Sequence, residues 1–235
     1  MIVNIGSFIG PAVASVYREI DWVYVFIISS AAISLNMILV LLFYKEPNRE
    51  KQSDKLFQAI IKIFRNIVEV LSNFKFAVFL LIIVGFWVMY WQLFFTLPVF
   101  IQDWIDTTPI YNLVATIFPF LARKFGTAAG TINPELILNM VSFFIILFQL
   151  LISTIVMKYK PLNAMISGIF IASIGLGLWF VFQNGLFLFA SIFVFAIGEM
   201  SSSPKITEYI GRIAPKDKVA LYMGMSFLPI AGGNF

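Results

Sequence analysis

Residues 22–43 read WVYVFIISSAAISLNMILVLLF, a long run without a single charged side chain. The hydrocarbon core of a bilayer is about 30 Å thick, and a helix needs roughly 20 apolar residues to cross it. Asp21 precedes the run and Lys45 follows it closely, so charged side chains stand where the run begins and ends. The stretch therefore predicts a membrane-spanning helix.

Four further runs have the length of a membrane span, and two shorter apolar runs stand at the ends of the sequence. The long runs are 76–101, 136–157, 164–182 and 186–203, and the short ones are 2–16 and 220–235. A half-span would leave backbone polar groups that lipid cannot satisfy. We therefore expect five complete spanning helices and two that the ends of the sequence cut short. The predicted fold class is all-α, a polytopic membrane helix bundle.

The composition supports this prediction and excludes other classes of protein. Of the 235 residues, 60% are hydrophobic and 12% are charged, whereas about 25% of residues are charged in soluble domains. A soluble enzyme, a disordered tail and a nucleic-acid-binding domain are excluded, because a soluble surface cannot carry so much apolar area. The chain has no cysteine and no histidine, which removes disulfides, cysteine nucleophiles and histidine relays. We predict no enzymatic activity, no cofactor, no metal site and no nucleic-acid partner.

The basic residues predict the orientation in the membrane. If the five spans alternate strictly, thirteen of the 16 Lys and Arg residues fall on one side, and only Arg18, Arg123 and Lys124 fall on the other. Cytoplasmic loops carry the excess of basic residues. Segments 45–75 and 205–218 are therefore predicted to be cytoplasmic. The predicted location is the plasma membrane, here a bacterial inner membrane, with multiple passes through the bilayer.

Two segments between the spans are amphipathic. Residues 53–71 begin at a helix N-cap candidate and separate an apolar stripe from a polar one, which is typical of a helix lying on the membrane surface. This helix is either a plain linker or a regulatory element. Residues 109–126, predicted to lie outside, are also amphipathic and broken at Pro119, which indicates a short interfacial or re-entrant piece.

One acidic side chain stands well inside a predicted span. Glu199 follows the apolar stretch 186–198, and an ionisable residue at membrane depth is expensive and usually functional. The alternative is a structural pair with a cation on another helix. A polar and aromatic group in the second span is predicted either to line a cavity or to pack within the bundle; its members are Trp87, Tyr90, Trp91 and Gln92.

Helix breakers and small residues mark two further features of the spans. Prolines in or beside spans commonly line cavities or act as gates in transporters; they are Pro98, Pro134, Pro204 and Pro229. Small side chains in run 164–182 include small-xxx-small spacings, which predict a close approach of helices; they are Gly168, Ala172, Ser173, Gly175 and Gly177.

Several motifs in this order resemble the major facilitator superfamily. NIGSFIGP at 4–11 is similar to its fifth transmembrane helix, and segment 45–75 is similar to the cytoplasmic linker between its two six-helix halves. FWVMYWQ at 86–92, INP at 132–134 and GEMSSSP at 198–204 resemble helices 7, 8 and 10 of the proton-coupled oligopeptide transporter branch. Trp91 stands where that branch usually has a glutamate.

The resemblance implies a division of the chain. Residues 1–44 are expected to be the end of the N-terminal half, helices 5 and 6, and residues 45–75 the linker with its amphipathic helix. Residues 76–235 are expected to form helices 7 to 10 and the start of helix 11. The fold implied is a partial major facilitator fold, seen from the end of helix 5 onward.

The resemblance also implies roles for residues. Glu199 matches the glutamate that contacts the amino group of the peptide, and Asn133 matches an asparagine that contacts the substrate. With the polar and aromatic group named above, the predicted substrate site contains Glu199, Asn133, Gln92, Trp91, Tyr90 and Trp87. Because a desolvated carboxylate can titrate, Glu199 is also expected to couple substrate movement to H⁺.

The predicted function is secondary active transport by alternating access, with proton-coupled uptake of small peptides as the main hypothesis. The predicted partners are a small-molecule solute, H⁺ and the lipid bilayer. The alternative is a major facilitator importer or exporter of drugs or other small organic solutes. A membrane protein without transport activity, either an intramembrane enzyme or an assembly subunit, is the hypothesis of a different class.

Overall fold

The computed structural model describes residues 2–18, 20–45 and 56–234, except for the side chains of Leu56 and Ala59. This part of the chain consists of helices joined by turns and short loops, and it contains no β-strand. Twelve helices follow one another within it: α1 Ile2–Arg18, α2 Trp22–Phe43, α3 Leu56–Leu71, α4 Phe74–Phe95, α5 Leu97–Trp104, α6 Thr108–Ile117, α7 Pro119–Phe125, α8 Pro134–Val156, α9 Pro161–Leu178, α10 Gly185–Ile213, α11 Val219–Met225 and α12 Phe227–Gly233.

Five of these helices are long and apolar enough to cross a membrane, namely α2, α4, α8, α9 and α10. Each of them overlaps one of the five runs predicted from the sequence. The all-α, polytopic helix bundle is therefore confirmed. Helix α2 is apolar on every face and contains no buried residue, which is the pattern of a helix that faces lipid on most sides.

Two of the predicted span boundaries are wrong. Run 76–101 is not one helix, because α4 ends at Phe95 and α5 begins at Leu97, with Pro98 in its first turn. Proline lacks an N–H donor and its ring clashes with the preceding turn, so a helix breaks ahead of it. Run 186–203 is longer than predicted, because α10 continues through Pro204 to Ile213.

The amphipathic segments form helices where they are described. Residues 56–71 form α3, and positions 53–55, including the proposed N-cap, lie outside the described residues. Segment 109–126 forms α6 and α7, and the predicted break falls at Phe118, directly before Pro119. Much of the apolar face of α3 is exposed, including Phe57, Phe64 and Val68.

Helix α10 is the centre of the core. It packs against α8 and α9. The side chains of Leu188, Ile192 and Phe195, all on α10, are completely buried. Glycine and alanine make the contact with α9 close: a Cβ atom added to Gly198 would lie 2.6 Å from the carbonyl oxygen of Gly168. Helix α1 packs on α8, and α12 packs on α4.

The predicted small-residue contact is only partly present. Gly168, Ala172 and Gly175 face α10, and all three are buried. A Cβ atom on Gly177 would meet nothing within 4 Å, and Ser173 is exposed. Ser173 and Gly177 therefore lie outside the close contact, because the helix turns them away from α10.

Contacts at each end of the bundle join residues that strict alternation of the spans places on the same side of the membrane. At one end Asp106 forms a backbone bridge with Asn184, and Arg18 forms an ion pair with Glu135. At the other end Lys218 forms an ion pair with Glu69 of α3.

Candidate functional site

A cavity of about 410 Å³ lies between α1, α4 and α8, and we call it the central cavity. Its wall is mostly apolar, with Pro11 and Pro98 among its lining residues. Polar side chains are placed at intervals along it: Asn4, Ser7, Tyr90, Glu135, Asn139 and Ser142. Ligand pockets commonly have this character, with a few polar groups in a mainly apolar wall.

Tyr90 connects the central cavity with Glu199. Its side chain lines the cavity from α4, and its phenol interacts with the Glu199 carboxylate on α10. The ring is held by neighbouring aromatic residues, with ring centroids 5.2 Å from Trp87 and 6.3 Å from Phe195. These contacts fix the phenol beside the carboxylate.

One oxygen of the Glu199 carboxylate lacks a hydrogen bond within the part of the chain that the structure describes. Its Oε2 atom is buried and has no hydrogen-bond partner among the described residues, although the residue as a whole is only partly buried. A buried acceptor without a partner costs free energy, and native proteins rarely retain one without a reason. The position of Glu199, in the middle of α10 and beside Tyr90, is the strongest chemical feature of this site.

The rings of Trp87 and Trp91 pack against Tyr90, but both side chains, like that of Gln92, also have contacts away from Glu199. Trp87 lines a separate cavity of about 360 Å³ beside α10, α11 and α12. The Trp91 indole N–H donates to the carbonyl of Ile230, at 3.4 Å, and so joins α4 to α12. The Gln92 side-chain oxygen accepts a hydrogen bond from the Thr96 hydroxyl at the end of the same helix.

Asn133 lies at the end of the bundle that the predicted membrane orientation places outside. It is the N-cap residue of α8, and its side chain makes no capping hydrogen bond. It lines a cavity of about 330 Å³, which we call the outer cavity, together with Arg18, Thr107 and Glu135. The six predicted residues therefore do not form one site: four lie along α4, Glu199 lies on α10 beside Tyr90, and Asn133 lines the outer cavity.

The predicted prolines have different outcomes. Pro98 breaks the helix and lines the central cavity, and Pro134 opens α8 and lines the outer cavity. Pro204 lies inside the continuous helix α10, and Pro229 is buried within α12.

Two polar contacts at the site were missed by the sequence reasoning. The side-chain amide of Asn139 donates to the Phe8 carbonyl at 2.7 Å, and Arg18 donates to Glu135 at 2.5 Å. Both join α1 to α8. Asn139 could have been noticed, because it is one of only two amides in the mainly apolar run 136–157, with Gln149.

Lys205, the first residue of the segment 205–218 that is predicted to be cytoplasmic, lies inside α10 with 10% of its side chain exposed. Its ammonium contacts Glu208 at 2.6 Å. Arg212 contacts the other oxygen of Glu208, also at 2.6 Å. The extension of α10 beyond Pro204 is therefore held by a ladder of charges on a single helix.

Outside the spans, two charged groups have shifted pKa values. The main-chain N–H of Thr108 donates to Asp106 at 2.9 Å and lowers the pKa of that carboxyl below its ordinary value. The hydrogen bond to Glu69 raises the pKa of Lys218 above its ordinary value. Among the described residues, no group of three or more acidic, histidine or cysteine side chains could hold a metal ion.

The family model of the Major Facilitator Superfamily matches residues 1–108. The match supports this superfamily. It covers α1 to α5 and ends at the first residue of α6. The superfamily suggests a membrane transporter rather than an enzyme, since its members bind small-molecule substrates and sit in the lipid bilayer. The match and the apolar helices support a multi-pass membrane protein. No curated protein and no solved structure matches the chain at a significant level.

Proposed function

We propose that this chain belongs to a major facilitator transporter that takes up small peptides together with protons. Transport follows alternating access: residues 1–44 are part of one half, residues 76–235 are part of the other, and residues 45–75 connect them on the cytoplasmic side. The family match to residues 1–108 supports the class of transporter. The peptide and the proton are assigned on the chemistry of the cavity and on the resemblance of the motifs around Glu199.

The observation that carries the proposal is the Glu199 carboxylate, with its buried Oε2 atom and its neighbour Tyr90. An ionised carboxylate attracts an ammonium group, whereas a protonated carboxyl is neutral and does not. A proton and the amino group of a peptide therefore compete for Glu199. For the two to be taken up together, the proton displaced by the peptide must stay on another group of the transporter during the inward step, and its return to Glu199 releases the peptide at the cytoplasmic side.

Tyr90 assists in both states of the carboxyl group. A phenol can donate a hydrogen bond to the ionised carboxylate and accept one from the protonated acid. It also lines the central cavity, so it is available to contact a solute bound there. The cavity volume of about 410 Å³ falls within the range of about 300–1,000 Å³ usual for small ligands.

The halves contact each other where α1 meets α8. Alternating access requires one bundle to rock against the other around a site near the middle of the membrane. The Asn139–Phe8 hydrogen bond and the Arg18–Glu135 ion pair span this boundary. Both contacts must change when the cavity opens to the outside, so they belong to the gating machinery of the proposed mechanism.

Uptake by the purified full-length transporter in proteoliposomes tests the proposal. An inward pH gradient should drive accumulation of radiolabelled dialanine, and a protonophore should abolish it. Excess unlabelled dipeptide should compete with the label. Gradient-driven uptake of organic solutes that dipeptides do not inhibit would instead establish the alternative, a transporter of drugs or other small organic solutes. No dialanine uptake under any gradient would contradict peptide transport.

A further inference from the structure

Glu135 stands at the junction of three cavities. It lines the central cavity, the outer cavity and a smaller cavity of about 120 Å³ beside Trp22. A solute that moves between the outer and the central cavity therefore passes this carboxylate. Polar side chains surround it on the outer side, including Thr107, Thr131 and Asn133. The outer cavity thus suits a polar or charged solute.

Only one of the two oxygens of the Glu135 carboxylate has a hydrogen-bond partner among the described residues. One oxygen, Oε1, accepts from the Arg18 guanidinium at 2.5 Å, while the buried Oε2 atom has no partner among the described residues. An ionised carboxylate has room for about four hydrogen bonds. The side chain as a whole is 42% exposed, so the carboxyl group borders the outer cavity, although its Oε2 atom is buried.

Arg18 has a second interaction partner besides Glu135. Its guanidinium lies 5.7 Å from the centre of the Trp22 ring, close enough for a cation–π interaction. If another cation took its place at Glu135, Arg18 would keep this contact. Exchange of one cation for another is therefore less costly than breaking an isolated ion pair.

We propose that Glu135 is an outer binding subsite for the cationic group of the solute, an ammonium or a guanidinium, and that Arg18 occupies it as an internal ligand when no solute is present. The solute displaces Arg18, and this removes the ion pair that holds the outer end of α1 against α8. Arrival of a cationic solute thereby opens its own path to the central cavity. This inference rests on the proposed transport function, and it assigns the subsite at which a solute first binds.

Chemical rescue tests the subsite without any need for transport. In the Arg18→Ala variant the carboxylate loses its internal ligand, so methylguanidinium should raise the melting temperature of the purified protein, and neutral methylurea should not. The double variant Arg18→Ala/Glu135→Gln is the matched control and should show no difference between the two compounds. Equal effects of methylguanidinium and methylurea on Arg18→Ala would overturn the inference.

Binding of dialanine and of its desamino analogue, N-propionylalanine, tests the role of the subsite for a solute. Glu135→Gln should weaken dialanine binding about tenfold or more, because a hydrogen bond to a charged group is lost, and should leave the analogue nearly unchanged. Arg18→Ala should tighten dialanine binding several-fold, because the competing internal ligand is gone. Equal losses for both compounds in Glu135→Gln would contradict the inference.

A charge-exchanged variant distinguishes a binding role of Glu135 from a purely structural one. It can also replace Glu135→Gln in the binding test if that variant fails to fold. Arg18→Glu/Glu135→Arg restores an ion pair between α1 and α8 but places a cation in the subsite. The inference predicts that dialanine binding stays weak in this variant. Wild-type binding there would show that Glu135 acts only as a clamp. Rescue by methylguanidinium in a protein that does not take up dialanine would contradict peptide transport and leave the cation subsite standing.

Discussion

The side-chain amide of Asn139, in α8, donates a 2.7 Å hydrogen bond to the main-chain carbonyl of Phe8, in α1. Only 5% of Asn139 is exposed, and the bond crosses the boundary between the two proposed halves of the transporter. A polar contact between helices at this depth has few competing partners in lipid, although its net contribution in membranes is modest. It is therefore a candidate for a contact that is made in one state and broken in the other.

Replacing Asn139 with leucine should weaken the association of α1 with α8. We expect a loss of about 1 kcal/mol of stability, the usual size for a hydrogen bond between membrane helices. Thermal unfolding in detergent measures this loss. Ser142→Ala, which changes another residue lining the same cavity, is the matched control and should unfold near the wild-type temperature. Equal stability of Asn139→Leu and the wild type would show that the bond contributes nothing.

The contact of α9 with α10 should tolerate no added side chain at Gly198. Its Cβ would approach the Cα atom of Ala172 to 2.6 Å, so Gly198→Ala should destabilise the protein by about 1–3 kcal/mol through overpacking. Gly177→Ala is the control, because its Cβ meets nothing within 4 Å, and alanine favours a helix. Thermal unfolding of both variants checks the pair, and equal effects would be inconsistent with the close contact.

The ion pair of Lys218 with Glu69 should stabilise the attachment of α3 only below strongly alkaline pH. Since Glu69 raises the pKa of Lys218, the contribution is complete below the ordinary lysine value of 10.5 and is lost as the pH rises through the raised value. Lys218→Met should melt below the wild type at neutral pH, and the gap should close above that value. A gap that is independent of pH would refute the pairing as its cause.

The orientation can be tested with single cysteines, because the chain has none of its own. A cysteine at Gln52, which lies outside the described residues, should be protected in intact cells from a membrane-impermeant thiol reagent. A cysteine at the exposed Asp103 should react, since segment 102–135 is predicted to face outward. The prediction rests on the asymmetry of basic residues. The opposite pattern of labelling would invert the topology.

Hydropathy predicted the helices because membrane spans impose a length and an apolar composition that are visible locally. It placed α2 at its observed bounds and located the other four spans. It did not predict the end of α10. A proline in an apolar run looks the same whether the helix ends before it, as at Pro98, or continues through it, as at Pro204. The charge ladder from Lys205 to Arg212 allows the helix to continue, and such a ladder becomes visible only once a helix is assumed.

The site was predictable only where one residue carries the signal by itself. Glu199 is conspicuous as an acid within an apolar run, and the structure brings it together with Tyr90. Arg18 and Glu135 are separated by 117 residues, and each stands near the end of a span, where a charge attracts no notice. Their pairing depends on the packing of α1 against α8, which periodicity does not encode.

The central claim is that Glu199 binds both the proton and the cationic group of the solute, and the Glu199→Gln variant tests it most directly. Gradient-driven dialanine uptake and thermal stability are measured on the same preparation, with Asp103→Asn as a control that removes an exposed acid outside the cavity. We predict that uptake is lost in Glu199→Gln and retained in the control, with both variants melting close to the wild type. A destabilisation of about 3–5 kcal/mol would mark a broken buried ion pair instead. Normal uptake by Glu199→Gln with a normal melting curve would contradict the account.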